Sequence, residues 1–435
     1  MRKILSILLL AVWSLASDAQ GEELTIKITE GIEGAIPIAI TQFELIDTTS
    51  NETPTDVAAV IAADLARSGE FKVLERRDFP GNPYVLDDVI FQDWQLLRVD
   101  HLVIGKVLAQ GDGRYVVQYR LLDVLRAEKS NSYKSPPIRN LRGVAHYIAD
   151  QIYEHITGKR GAFNTSIAYV TETTGHDGEP RYSLNVADSD AHNRQNVLTS
   201  TQPVLSPAWS PNGKYLAYVS YERRQAQIIV QKLATGKRHL MSSFPGLNGA
   251  PAWSPDGKQL AITLSKDGNA EIYTLNVENK RLRRITKNVA IDTEPAWSPD
   301  GKSIIFTSGR SGQPQIYQIP AEGGRAIRLT FEGKYNARAS YSPDGTKIVV
   351  VHSADKGFQI AILELKTKEF KVLTQSRLNE SPSFAPNGSM ILYATTDSGG
   401  PRLAAISVDG RVKQSLQVKV GGVREPAWSP FKTRN

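Results

Sequence analysis

Few residues in this chain offer reactive chemistry, and their spacing decides what they can do. The seven histidines, at positions 101, 146, 155, 176, 192, 239 and 352, include no His-x-x-x-His or His-Glu-x-x-His pair, so no helical turn brings two imidazoles to one ion. His146 and His155 share one helical stretch but stand too far apart to share a metal. Cysteine is absent, which removes thiolate ligands, thiol nucleophiles and disulfides. The nearest approach to a nucleophile elbow, Gly309-Arg-Ser311-Gly312, carries Gln313 where the second glycine belongs, and the five residues after Pro430 leave no room for a hydrolase domain. Asp256, Asp300 and Asp344 lie 44 residues apart, one per repeat, and so form no carboxylate pair. Gly111-Asp-Gly113 lacks a phosphate-loop context and reads as a hairpin turn. No catalytic residue, metal ligand or cofactor site is expected.

What remains is binding chemistry. Six short polar stretches recur at one position of a repeat: Leu205-Ser206, Asn248-Gly249-Ala250, Asp292-Thr293-Glu294, Asn336-Ala-Arg338, Asn379-Glu380 and Arg424-Glu425. Mixed Asn, Asp, Glu and Arg suit hydrogen bonding to a peptide or protein edge. The recurrent Asn and Asp equally suit the shaping of a turn, whereas Thr293, Glu294, Arg338 and Arg424 change in type from repeat to repeat and read as contact residues. Small-ligand or lactone-processing chemistry around a channel calcium ion stays open as an alternative, because Asn248, Asp292, Asn336 and Asn379 recur at one depth.

The elements that must position these stretches follow from self-similarity. Pro-Ala-Trp-Ser-Pro-Asp-Gly-Lys occurs at 251–258 and again at 295–302, with relatives at 207–214, 339–345, 381–388 and 426–430. Their aromatic position, Trp209, Trp253, Trp297, Tyr341, Phe384 and Trp428, advances by 44, 44, 44, 43 and 44 residues. Ser-Pro-Asp-Gly is a turn, and each turn precedes a short apolar run such as Leu260 to Leu264, then two more strand-like segments. Four strands per repeat of this length is the stride of a propeller blade. Residues 163–200 hold three strands without a first, and residues 425–429 hold a first strand without successors. The spacing therefore predicts six blades, closed by pairing the C-terminal strand with the N-terminal three, with one aromatic ring per blade filling the wedge between sheets.

Residues 20–158 read instead as an α/β domain, and residues 159–435 as the propeller. Leu24 to Ile28, Ile36 to Ile40 and Phe71 to Leu74 look like strands; 55–68 and 141–155 carry helical apolar spacing that stops at Gly69 and Gly158. Met1-Arg2-Lys3, an apolar run from Ile4 to Ala16 and a small-residue site ending at Ala19 describe a cleaved secretory signal, too short to span a bilayer comfortably. Removing residues 1–19 leaves 50 basic against 44 acidic residues, a net charge of +6 with the signs interspersed. Export and the lack of a basic-aromatic cluster argue against nucleic acid; a bacterial periplasm is the expected compartment.

The secretory signal, the α/β domain, the joining sequence Gly161-Ala-Phe-Asn-Thr-Ser-Ile-Ala-Tyr169 and six such blades resemble the TolB family of the Tol-Pal system over essentially the whole mature chain. The resemblance implies a non-enzymatic scaffold. It implies binding of the peptidoglycan-associated lipoprotein Pal at the propeller mouth through Asn248, Gly249, Ala250, Thr293 and Glu294; Leu247, Asp292, Arg338, Glu380 and Arg424 join them as expected contacts from the reading of the mouth residues. It implies binding of the TolA C-terminal domain through an N-terminal segment containing Glu22, Glu23, Leu24, Thr25 and Ile26. Support of outer-membrane integrity and constriction at division, and capture by colicins, would follow. Where the family carries a polar imidazole before Asn248, this chain has Leu247.

Overall fold

The computed structural model describes residues 27–28, 34–46, 55–354, 357–376, 378–416 and 421–432. The leader at 1–19 and the segment from Glu22 to Ile26 lie outside them. The front domain is a mixed sheet in the order Phe71–Val73, Ile36–Ile40, His101–Ala109, Tyr115–Asp123 and Glu128–Lys134, with Glu44–Ile46 continuing beside the third of these. Helix α1 (Val57–Ser68) begins where the Asp56 carboxylate accepts from the Ala59 N–H at 2.9 Å and ends on Gly69 in the left-handed conformation. Its apolar stripe, Val57, Val60, Ile61 and Leu65, packs with Ile148, Ile152 and Tyr153 of the helix Leu141–Thr157 against one face of the sheet. On the other face, a short helix (Phe91–Leu96) lays Trp94 over Leu102, Ile104 and Leu122 and covers only half of it. That helix, with two 3-10 turns and the edge strand Glu128–Lys134, has no periodicity long enough to stand out in the sequence.

One sequence expectation is corrected. Of the strand read at Leu24 to Ile28, Lys27–Ile28 is described, and it pairs antiparallel with Ser415 and Gln414 as a fifth strand of the last blade, not as part of the front sheet. The outermost strand of a blade presents unpaired N–H and C=O groups, which any neighbouring extended segment can satisfy.

The propeller consists of six antiparallel sheets, and its closure is the one the ends of the repeat array predict. Blade 1 takes Ser166–Thr174, Pro180–Asp188 and Gln195–Ser200 from one end of the array and Gly422–Trp428 from the other, with Ala427 opposite Ala168 and Trp428 opposite Ile167. The second strand of each blade is buried on both faces, as in Leu216–Val219 and Ile304–Thr307, which explains the unbroken apolar runs. The Ser-Pro-Asp-Gly turn performs two tasks. Ser254 Oγ donates to Asp256 Oδ1 at 2.6 Å and accepts from the Gln259 N–H at 2.9 Å, while Gly257 takes φ 71°, which only glycine adopts without strain. The turn also stacks on its neighbour: a Cβ at Gly257 would meet Pro211 of the preceding blade at 3.8 Å, and the contact repeats from Gly301 to Pro255 and Gly345 to Pro299. The tryptophans are only half-buried, so they fill the inter-blade wedge in part. Two indole N–H groups tie blades together, Trp209 to the Ala427 carbonyl at 3.0 Å and Trp253 to that of Ala208 at 3.2 Å.

Front domain and propeller share a buried polar seam. Arg67 donates to Ser189 Oγ at 2.8 Å and pairs with Asp64 at 3.0 Å; His146 Nδ1 lies 2.6 Å from Asp64 Oδ2, and Arg142 pairs with Asp190. Asp150 accepts from the Phe163 and Asn164 N–H groups of the joining segment at 2.8 and 3.2 Å. Gly161 passes so close that a Cβ there would stand 2.4 Å from Asp150 Oδ1. Burial raises the Asp150 carboxyl to about 7 against the pull of those N–H groups.

Candidate binding site at the channel mouth

The first strand of every blade breaks register at the same place, and that irregularity builds the site. Pairing skips from Leu205 to Ala208, Gly249 to Ala252, Thr293 to Ala296, Ala337 to Ser340, Glu380 to Ser383 and Arg424 to Ala427. At each bulge a non-glycine residue adopts left-handed φ: Ser206, Ala250, Glu294, Arg338, Ser381 and Glu425, all between 46° and 57°. A bulge re-aims its side chain, and here six are turned together onto one chamber of about 500 Å³ at the mouth of the channel. The sequence holds a trace of this: five of the six precede proline.

The longest of these side chains form an ionic ring. Arg338 Nε donates to Glu294 Oε1 and its Nη2 to Glu425 Oε1, both at 2.9 Å, and Nη1 to Ser381 Oγ. Glu425 Oε2 accepts from the Ser206 N–H at 2.9 Å, and Glu294 Oε2 from Thr307 Oγ1 at 2.9 Å. One guanidinium thus joins blade 4, blade 6 and the closing strand of blade 1.

The other expected residues fall in two groups. Asn248 and Asp292 are fully buried, with side chains turned into their own loops: the Phe244 N–H donates to Asn248 at 2.9 Å, while Ser308 Oγ and Arg310 Nη2 each donate to Asp292 at 2.6 Å. Asn336 and Asn379 are buried likewise, bonded to the Glu332 and Phe358 carbonyls. Asn248 lines the chamber and Asn379 the adjoining cavity, but the side-chain oxygens of this set are engaged by Ser242, Ser308, Arg310, His352 and Ser376, so the set shapes the loops. Desolvation lifts the Asp292 carboxyl above its ordinary range, offset by Ser308 and Arg310. Gly249, Ala250 and Thr293 line the chamber, and Leu247 is exposed at its rim. Glu380 and Arg424 line an adjoining cavity of about 560 Å³ with Tyr335 and Phe358, and Arg424 also pairs with Glu172 at 2.8 Å. Glu380 is open to that cavity, yet protein crowding around it raises its carboxyl, with Arg338 pulling the other way.

Exposed apolar side chains stand in the same loops: Leu247, Val289, Ile291, Phe331, Phe358 and Leu378. Nothing in the motif marks them, because each occupies a different loop position. Exposed apolar side chains gathered in such loops mark a surface that another molecule covers. The turn aspartates are bonded within their turns, and Ser311 lies in an exposed hairpin of blade 4 bonded to its own loop. Among the described residues one cluster has metal-ligand composition, Asp64, His146 and Asp190, with ligand atoms within 4.8 Å of one another. Sequence spacing could not show it, since the three come from separate elements, and Arg67 and Arg142 already occupy its carboxylates.

Fold and mouth together define an α/β domain fused to a six-bladed propeller with a built chamber at the channel opening. Residues 24–130 match the TolB amino-terminal domain family and residues 153–432 the TolB beta propeller domain family. The Tol-Pal system protein TolB of Nitrosococcus oceani is 61% identical over 430 residues, spanning 98% of both chains, and that of Thioalkalivibrio sulfidiphilus 58% identical over 99% of each. The crystal structure of TolB from Acinetobacter baumannii superposes with a TM-score of 0.86 at 38% identity, covering 94% of this chain and 100% of that one. The chain belongs to the TolB family of Tol-Pal system proteins.

Proposed function

We propose that this Tol-Pal component is a non-enzymatic periplasmic scaffold, exported on a signal cleaved near Ala19. The propeller mouth binds a Pal-like lipoprotein, and the segment around Glu22 to Ile26 binds the TolA C-terminal domain, supporting outer-membrane integrity and constriction during division. Colicins would exploit the same surfaces. The observation that carries the reading is the chamber itself: six re-aimed residues, five of them polar, with Leu247 exposed at its rim and Val289, Ile291, Phe331 and Leu378 exposed at or just before the start of other first strands. The dispersed turn aspartates and locally bonded Ser311 offer no nucleophile and base within reach of one another.

Reversal of Glu294 is a poor probe of binding, because it would also break the pair with Arg338. Leu247→Asp and Thr293→Arg change the rim and leave the ring in place. Calorimetry with the soluble domain of a Pal-like lipoprotein is expected to show at least tenfold weaker binding for each, with unchanged melting. Wild-type affinity in both variants would remove the mouth from the interface.

A further inference from the structure

The uncovered half of the front-domain sheet has a composition the propeller reading leaves unused. Across its last three strands Lys106 lies opposite Gln118 and Gln118 opposite Lys134, while Ile104 lies opposite Arg120 and Arg120 opposite Ser132. Ile104 and Leu122 of this face are buried beneath Trp94, but beyond them the covering helix stops and the face turns cationic: Lys106, Arg120 and Lys134, with Lys129 opposite Leu122. None of the four makes an ion pair among the described residues. Glu44 lies opposite Lys106 and makes no ion pair with it. Tyr84, Val85, Lys106, Gln118, Arg120 and Lys134 enclose a concavity of about 280 Å³. Glu128–Lys134 is also the terminal strand of the sheet, so one side of its backbone has no partner strand.

We propose that this face and edge dock an extended acidic segment of a partner protein, added as a strand beside Glu128–Lys134. Two independent features point to the same ligand. An open edge supplies main-chain hydrogen bonds to any extended chain. On that face the edge strand itself carries Lys129 and Lys134, with Arg120 and Lys106 on the strands behind, and these cations select a segment whose carboxylates recur at every second residue, because alternate side chains of an added strand share a face. Lysine at a sheet edge also guards against unwanted pairing; guarding needs no concavity and no cation on the inner strands, whereas Arg120 and Lys106 lie one and two strands in. The surface lies on the front domain, so the inference does not depend on what the propeller mouth binds.

The test uses the full mature chain and a short fluorescein-labelled peptide with Asp or Glu at alternate positions and Val or Thr between, against its Asn/Gln counterpart. Fluorescence anisotropy is expected to show binding of the acidic peptide alone, weakened at least tenfold in Lys106→Glu/Arg120→Glu/Lys134→Glu, and hydrogen exchange should slow at amides within 128–134. If the triple variant melts early, Lys129→Gln/Lys134→Gln, at exposed positions, replaces it, with a smaller but measurable loss expected. Absence of acidic-peptide binding, indifference to the substitutions, or binding without protection of 128–134 each overturns the proposal. Retention of the chain on phosphatidylglycerol vesicles, without peptide binding, would assign the face to lipid instead.

Discussion

Replacing Arg338 by Ala removes the one cation that holds Glu294, Ser381 and Glu425 together at the channel mouth. Breaking a fully buried ion pair costs about 3 to 5 kcal/mol, and breaking an exposed one about 0.2 to 1. The Arg338 side chain is 32% exposed, Glu294 24% and Glu425 10%, so solvent screens the pair with Glu294 more than the pair with Glu425. Both carboxylates keep other donors, Glu294 the Thr307 hydroxyl and the residue 338 N–H, Glu425 the Ser206 N–H. The loss belongs between those limits, at about 2 kcal/mol, or a melting point lower by roughly 4 °C for a domain of this size. The two orphaned carboxylates would then repel each other, and protonating them relieves this, so the deficit should shrink between pH 7 and pH 4.5. Arg338→Gly separates charge from backbone: φ is 52° there, and glycine recovers about 1 kcal/mol of the left-handed cost, so this variant should melt no lower than Arg338→Ala. The assay is thermal unfolding followed by tryptophan fluorescence, which Trp209, Trp253, Trp297 and Trp428 report from within the propeller. A deficit under about 0.5 kcal/mol, or one that does not depend on pH, would show that the ring is not a stabilising network.

Deleting 424–435 removes most of the closing strand together with the Trp428 bond to Thr165 at 2.8 Å, so melting should fall far more than for an ordinary tail truncation; a near-wild-type melt would refute closure as the source of stability. Gly257→Ala forces a Cβ into φ 71° and is expected to cost about 1 to 2 kcal/mol in urea unfolding, against little for Gly81→Ala, where the space is open and φ is not left-handed. Asp150 is raised to about 7 in the folded chain from about 4 unfolded, so the native state holds an extra proton between those values and stability falls as pH rises through them, with a ceiling of about 4 kcal/mol. Its neighbours in the seam, Asp64, Arg67, Arg142, His146 and Asp190, are common to wild type and Asp150→Asn, so the wild type should lose melting temperature relative to that variant between pH 5 and pH 8; parallel curves would refute the assignment.

Much of this architecture is legible in the letters because each blade is a local object repeated. The period of the aromatic gives the blade, and the missing and surplus strands at the two ends of the array give the number and the closure. Helices at 57–68 and 141–157 carry apolar spacing and end on glycine, so they too can be read. The strand read at Leu24 to Ile28 was placed with the wrong sheet because strand propensity says nothing about which edge is open. Candidate contact residues were legible as a repeat position but not as individuals: Asn248 and Asp292 share that position with Glu294 and Arg338, yet the former are fully buried and tied by local hydrogen bonds, whereas the latter pair with each other across the chamber.

By itself the sequence determined what depends on neighbours along the chain: turns, strand runs, helix ends and the repeat that assembles them into a ring. Only the tertiary structure decided which side chains meet across that ring. The bulge in each first strand turns one residue to the axis, and blades far apart in sequence then bring Glu294, Arg338 and Glu425 within hydrogen-bond distance. The same holds for Lys106, Arg120 and Lys134, whose shared face is a matter of strand register, and for Asp64, His146 and Asp190 at the domain seam. Electrostatic contacts fall off over a few ångströms of space and are indifferent to separation along the chain, so only the folded geometry could reveal them.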